Sequence, residues 1–269
     1  MLEQMTPSAK RLLESLSWGS DSANFAGVKA EFEAEGTRAE DLKILLFAAR
    51  TLGLETIVKI GGCEALRDMR ELSTMGRVTN IVAPMIESPF ALRKFKQMAK
   101  RSQEQLDFKP DLYFNIETVS AVSSIDSILD EAANDGIIDG LTFGRGDYTE
   151  SLGLSRSNVD VQQVTDTVME VCRKTTERGL KFCVGGSVSS KSVGVLQGLA
   201  KEGALAFETR KISVNFSDVG DDEKLLKKSI ESALKFELVW LETKRDRYLL
   251  IADEDKTRIG ELESRLQAN

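Results

Sequence analysis

The sequence predicts an α/β fold of the TIM-type (β/α)8 barrel kind, and three observations carry that prediction. From Phe25 to about Phe216, short β-rich runs alternate with longer stretches whose apolar residues fall at helical spacing. One helix per strand implies parallel strands joined by right-handed crossovers. About seven such units in one chain of 269 residues fit a closed barrel better than an open sheet. A doubly wound sheet calls for a glycine-rich first βα turn that cradles phosphates. Here that turn, Glu33-Ala34-Glu35-Gly36-Thr37, is acidic.

Taken in order, residues 1–24 form a polar, amphipathic helical segment with no apolar core behind a basic leader, so a cytoplasmic protein is expected. Strands are expected at residues 26–32, 56–60, 80–85, 112–117, 140–144, 181–184 and 204–208. Helical patterns lie between them, as at 39–52 (Leu42, Leu45, Leu46, Ala49), 89–101 and 161–178. The eighth strand either hides before Phe25, leaving an atypical or missing first strand, or the barrel is incomplete or closes in an unusual way. The barrel is assigned to residues 25–221. Residues 222–269 read as charged helix with Leu234, Leu238, Leu241, Tyr248, Ala252, Ile259, Leu262 and Leu266 in a seam interrupted by Arg245 and Asp255. This is the last barrel helix plus an extension that packs either on its own barrel or on a second subunit, and a homo-oligomer is expected.

Composition removes several function classes. The 43 acidic residues outnumber 36 basic ones, giving a net charge of −7 with no concentrated basic patch, which argues against a nucleic-acid partner. No apolar run approaches the length of a membrane span. Cys63, Cys172 and Cys183 are too far apart for a zinc motif and read as buried reduced thiols. The count of zero histidines is decisive. It removes Ser-His-Asp and Cys-His nucleophile machines and histidine-ligated metals, leaving oxygen ligands that favour magnesium, manganese or calcium. Proton transfer then falls to carboxylates, lysine, tyrosine, water or the substrate.

In a parallel barrel, functional groups gather where the strands end at their C-termini. Glu117 and Asp147 stand at two adjacent strand ends, placed to share one divalent cation with positions left open for substrate. A single acid at such a place is equally an N-cap or an ion-pair partner. Lys59, ending Thr56-Ile57-Val58-Lys59, points toward the barrel mouth, where it would neutralise an enolate, form a Schiff base, or simply sit in a salt bridge. Arg145, between Gly144 and Gly146 in a turn, is expected to bind something planar and anionic. Asn115, Gly144, Gly146 and Asp147 complete the expected substrate-binding set.

Three segments resemble the HpcH/HpaI aldolase and citrate lyase β-subunit family of the phosphoenolpyruvate/pyruvate barrel superfamily. They are Ile81-Val82-Ala83-Pro84-Met85-Ile86-Glu87-Ser88, Phe114-Asn115-Ile116-Glu117-Thr118, and Asp139-Gly140-Leu141-Thr142-Phe143-Gly144-Arg145-Gly146-Asp147-Tyr148-Thr149 with Leu152-Gly153. The resemblance implies metal ligation by Glu117 and Asp147, a pyruvate-carboxylate site at the backbone N–H groups of Gly146 and Asp147, and an enolate-stabilising role for Lys59 where the family has arginine. The family's early-loop histidine is missing, so Glu33, Glu35 or water would replace it, with Glu31 and Glu64 as further carboxylates for proton movement. The implied activity is a magnesium- or manganese-dependent carbon–carbon lyase acting on a small 2-oxoacid. A CoA-thioester lyase, other enolate chemistry and a noncatalytic acid-binding barrel are the alternatives.

Overall fold

The structure, a computed structural model, describes residues 7–32, 35, 37–103 and 106–268. Eight strands close into one barrel in sequence order: β1 (Gly27–Glu31), β2 (Glu55–Lys59), β3 (Asn80–Ala83), β4 (Asp111–Ile116), β5 (Gly140–Gly144), β6 (Lys181–Gly185), β7 (Ala206–Glu208) and β8 (Ile212–Asn215). Neighbours from β1 to β7 are parallel, whereas β8 is antiparallel to both β7 and β1. The first strand is therefore present and regular, and the unusual closure falls at the other end. Only Thr209, Arg210 and Lys211 separate β7 from β8. Thr209 N–H donates to the Ile212 carbonyl at 2.8 Å, and the Ile212 N–H donates back to Thr209 Oγ1 at 3.1 Å. An antiparallel return needs only such a turn, whereas a parallel one needs a crossover of a dozen residues or more.

The helices are α1 (Pro7–Ala23), α2 (Ala39–Thr51), α3 (Leu66–Ser73), α4 (Pro89–Gln103), α5 (Val119–Ser123), α6 (Ile125–Ala133), α7 (Arg145–Ser151), α8 (Gln162–Glu177), α9 (Val193–Lys201), α10 (Phe216–Val219) and α11 (Glu223–Gln267). Residues 7–23 of the segment before Phe25 are thus helical, and α1 packs along α11. Asp222 caps α11 by accepting the N–H groups of Lys224 and Leu225 at 2.8 and 3.0 Å. Its first half carries the buried Leu226, Ile230, Phe236 and Trp240 onto the barrel, with Phe25 and Phe236 edge to face at 6.2 Å. Residues 249–268 are exposed on every side. No helix of the described residues is long and apolar enough to cross a membrane.

The two-residue period of the strands sorts side chains between two compartments. Outward-facing Val28, Ala30, Val58, Phe114, Phe143, Val184 and Phe207 join the main core under the helices. Inward-facing Ile57, Val82, Tyr113, Cys183 and Ala206 form a separate apolar cluster across the barrel. Above that cluster, toward the C-terminal strand ends, the inward positions turn polar: Lys29, Glu31, Lys59, Asn115, Thr142 and Glu208. The apolar cluster fills the barrel below, and this charged layer lines the cavity at the mouth.

Candidate active site

Period two sends Lys29 and Glu31 inward while Val28 and Ala30 face the helices. Lys29 Nζ donates to Glu208 Oε2 at 2.8 Å and lies 3.8 Å from Glu31, which in turn holds Lys59 at 3.1 Å. Burial alone would lower the Lys29 pKa, but the carboxylates of Glu208, Glu31 and Glu117 together raise it well above the ordinary lysine value. Burial likewise opposes the charge on Glu31, yet Lys29 and Lys59 draw its carboxyl below the ordinary 4.5. Glu31 therefore contributes stability that is present above pH 4.5 and lost as pH falls through the lower folded value. We expect Glu31→Gln to flatten the fall in urea-unfolding free energy between about pH 5 and pH 3, a window set by ordinary carboxylate titration.

Glu117 follows β4 and is almost fully buried. Its Oε1 accepts the Met85 N–H at 2.9 Å, and its Oε2 accepts Asn115 Nδ2 at 3.0 Å. Met85 presents that N–H with φ of 53°, a left-handed conformation that non-glycine residues seldom adopt. Gly144 makes room for the same carboxylate, because a Cβ there would sit 2.8 Å from both Cβ and Oε2 of Glu117. Asp147 lies on the first turn of α7, half-exposed, and is ion-paired with Arg156. Arg156 also reaches Glu150 at 3.0 Å.

Both acids line one cavity of about 320 Å³ at the barrel mouth, together with Lys29, Glu31, Lys59 and Asn115. Gly144 and Gly146 line it too, as does the Gly185-Gly186 turn. Gly186 packs against the start of α7 so closely that a Cβ would fall 2.3 Å from the Gly146 nitrogen and 2.8 Å from that of Arg145. With φ of +86°, that position takes glycine on both counts.

One expected substrate contact is corrected. Arg145 is completely buried and is absent from the cavity lining. Its guanidinium donates to Asp160 Oδ1 at 2.8 Å, the Gly186 carbonyl at 3.2 Å and Ser192 Oγ at 3.1 Å. The Gly-Arg-Gly-Asp string begins a helix rather than forming an exposed turn, and the first helical side chain is directed into the protein. Burial lowers the Arg145 pKa, and Asp160 opposes that shift. Glu33 lies outside the described residues. Glu35 is spent on Lys211 and Arg210, the two residues at the centre of the β7–β8 turn, and Glu64 is exposed at Lys94.

Lys29, Thr142 and Arg156 are lining residues that sequence reasoning missed, with Leu234 and Glu237 from α11, and Glu208 reaches the cavity only through Lys29. A usable signal for the first was a lysine and a glutamate two apart in a buried strand. The cysteines stay outside this chemistry: Cys63 is half-buried, burial pushes Cys172 up to about 12, and Cys183 in the apolar cluster is pushed well above its ordinary value.

The donors fit a hard divalent cation. Glu117 and Asp147 offer only oxygen, and beside Glu117 the buried Asn115 Oδ1 has no hydrogen-bond partner among the described residues. No group of three or more acidic or thiol side chains suited to a metal occurs among the described residues, so most coordination positions would fall to water or substrate.

The model of the HpcH/HpaI aldolase/citrate lyase family matches residues 33–211. No curated protein sequence matches the chain. Among solved structures, an HpcH/HpaI aldolase/citrate lyase family protein from Burkholderia cenocepacia J2315 is similar at a TM-score of 0.59 and 16% identity, over 87% of this chain and 92% of that one. The HpcH/HpaI aldolase from Desulfitobacterium hafniense DCB-2 gives 0.58 and 18%, over 74% and 81%. Protein CitE from Mycobacterium tuberculosis, in complex with magnesium and acetate, gives 0.50 and 16%, over 86% and 93%. These likenesses establish the barrel, and the family match over well more than half of the sequence establishes membership: the chain belongs to the HpcH/HpaI aldolase/citrate lyase family of enzymes.

Proposed function

We propose that this protein is a divalent-metal-dependent carbon–carbon lyase that makes or breaks a bond next to the carbonyl of a small 2-oxoacid by way of its enolate. The observation that carries the reading is the meeting of Glu117 and Asp147 in one cavity with Lys59 and Lys29 at its floor. Magnesium or manganese, held by Glu117 and Asp147, would supply Lewis-acid polarisation of the 2-oxoacid oxygens. Magnesium and a small carboxylic acid occur in the similar structure of protein CitE, which supports the same ligand class here.

The chain's own groups divide the remaining work. Lys59, fixed by Glu31 at 3.1 Å, offsets negative charge that develops on the substrate as the bond breaks. Lysine keeps the charge of the family's arginine but not its two-pronged fork. The backbone N–H groups of Gly146 and Asp147 serve the substrate carboxylate. Proton movement cannot use histidine, since there is none. Glu237, at the rim, has its carboxyl raised by burial, with Arg210 and Lys211 opposing. A carboxyl of raised pKa beside an open cavity suits a proton donor or acceptor.

Oxaloacetate decarboxylation and pyruvate α-proton exchange, each measured with and without manganese, test the reading. Metal-dependent turnover in either supports it. No metal dependence in both, together with no saturable divalent site by calorimetry, points instead to a noncatalytic barrel.

Arg156 gives a second handle, because its guanidinium occupies Asp147. An ion must share or displace that contact, and exposed pairs of this kind contribute about 0–1 kcal/mol. Arg156→Ala is therefore expected to tighten manganese binding by a factor of about two to five, read by calorimetry.

A further inference from the structure

Among the described residues, nothing buries the outer half of α11. A helical end of some twenty residues without tertiary contact is marginal in water, since most helix stability comes from packing an apolar face. Yet residues 249–267 are helical and exposed, with Ile259, Leu262 and Leu266 among them at 55%, 45% and 77%. Further back, Leu234, Leu238 and Leu241 are exposed on the same side of the helix at 43%, 62% and 49%.

From Leu234 to Leu266 the seam positions, including Arg245 and Asp255, alternate strictly in steps of four and three. That is heptad spacing throughout, apolar except at Arg245 and Asp255, with Leu249 and Ile251 flanking its centre. The pattern is also symmetric about Leu250, so an antiparallel copy sets every seam residue opposite another. The two polar interruptions then decide the orientation. In antiparallel register Arg245 faces the partner's Asp255, and the symmetric contact repeats it. In a parallel, in-register pair arginine would face arginine and aspartate would face aspartate, and like charges in a helical seam are unfavourable. Arg245 is exposed, and its contact in its own chain is the neighbouring Asp246, which leaves it free to turn.

We propose that α11 pairs with α11 of a second copy of this chain as an antiparallel coiled coil centred on Leu250. The pairing sets the partner's Leu266 on Leu234. Because Leu234 and Glu237 line the cavity at the barrel mouth, the last turn of each chain then reaches the rim of the other's site. The inference is independent of which reaction the site performs.

Sedimentation equilibrium on the full-length protein, with circular dichroism to confirm folding, tests the pairing. The wild type is expected to be a dimer or a larger even assembly. Arg245→Asp and Asp255→Arg, each alone, put like charges into both symmetric contacts, and each should weaken self-association by at least about tenfold and halve the assembly mass. The reciprocal double variant should restore it. A monomeric wild type, single variants that associate normally, or a double variant that stays dissociated would each overturn the proposal. Register is read by oxidation in a Cys63→Ser background. Leu234→Cys with Leu266→Cys should give an interchain disulfide that neither single variant gives, because identical positions at either end lie about 48 Å apart in the antiparallel pair. Crosslinking of the single variants with themselves would indicate parallel pairing and refute the register.

Discussion

Glu117→Gln is expected to abolish metal-dependent activity and lower divalent affinity by at least about 100-fold, while leaving the barrel folded. The substitution exchanges one carboxylate oxygen for an amide nitrogen of nearly the same size and removes a full negative charge from the ligand pair. The remaining oxygen can still accept from the Met85 N–H, and the rest of the pocket is held by other contacts. Gly144, whose lack of a Cβ admits the side chain, needs no adjustment for an isosteric amide. Manganese titration by calorimetry and thermal unfolding, measured on the same preparation, separate the two effects. Lost binding at an unchanged melting temperature supports ligation. Unchanged binding would mean that this carboxylate serves only to hold the Met85 segment against β4.

Arg145→Met has the opposite signature, a large loss of stability with little direct effect on substrate affinity. The guanidinium is fully buried and joins three separate elements through Asp160, the Gly186 carbonyl and Ser192. Methionine fills much of the volume but leaves Asp160 without its cation and two oxygens without a donor. Removing one partner of a buried pair costs about 3–5 kcal/mol. Urea unfolding should register a loss of that size. Since Gly186 packs against the nitrogens that open α7, turnover is expected to suffer as that turn loosens, whereas apparent substrate affinity should change far less than for a residue that grips the substrate. If substrate affinity instead fell by about 100-fold at unchanged stability, Arg145 would return to the binding set.

Much of the fold was readable because the two strand faces differ in chemistry. Val58, Phe114, Phe143, Val184 and Phe207 are apolar where they meet helices, and Gly or charged residues mark the strand ends. Strand β8 escaped notice because its four residues, Ile212-Ser213-Val214-Asn215, follow β7 through a tight turn with no helix to announce a new unit. Lys59, Glu117 and Asp147 were legible as strand-end or first-turn residues, a property of local sequence. Pairing was not. Lys29 meets Glu208 across 179 positions, and Arg145 meets Asp160 across 15, distances at which nothing in the sequence names a partner. Flanking glycines made Arg145 look like a loop-tip anchor, although they mark the start of a helix that Gly186 covers.

The reversed final strand bears on how the cavity of this protein can diversify. In a barrel of eight parallel strands every sector of the rim is a loop that can lengthen, shorten or change sequence without disturbing its neighbours. Here the sector after β7 is a clipped turn, and the flank of α11 stands beside it at Leu234 and Glu237. Preference for one carbon skeleton over another on that side can drift only by single side-chain exchanges on a stiff wall. Larger evolutionary changes in what the cavity accepts must come from the opposite arc of the rim.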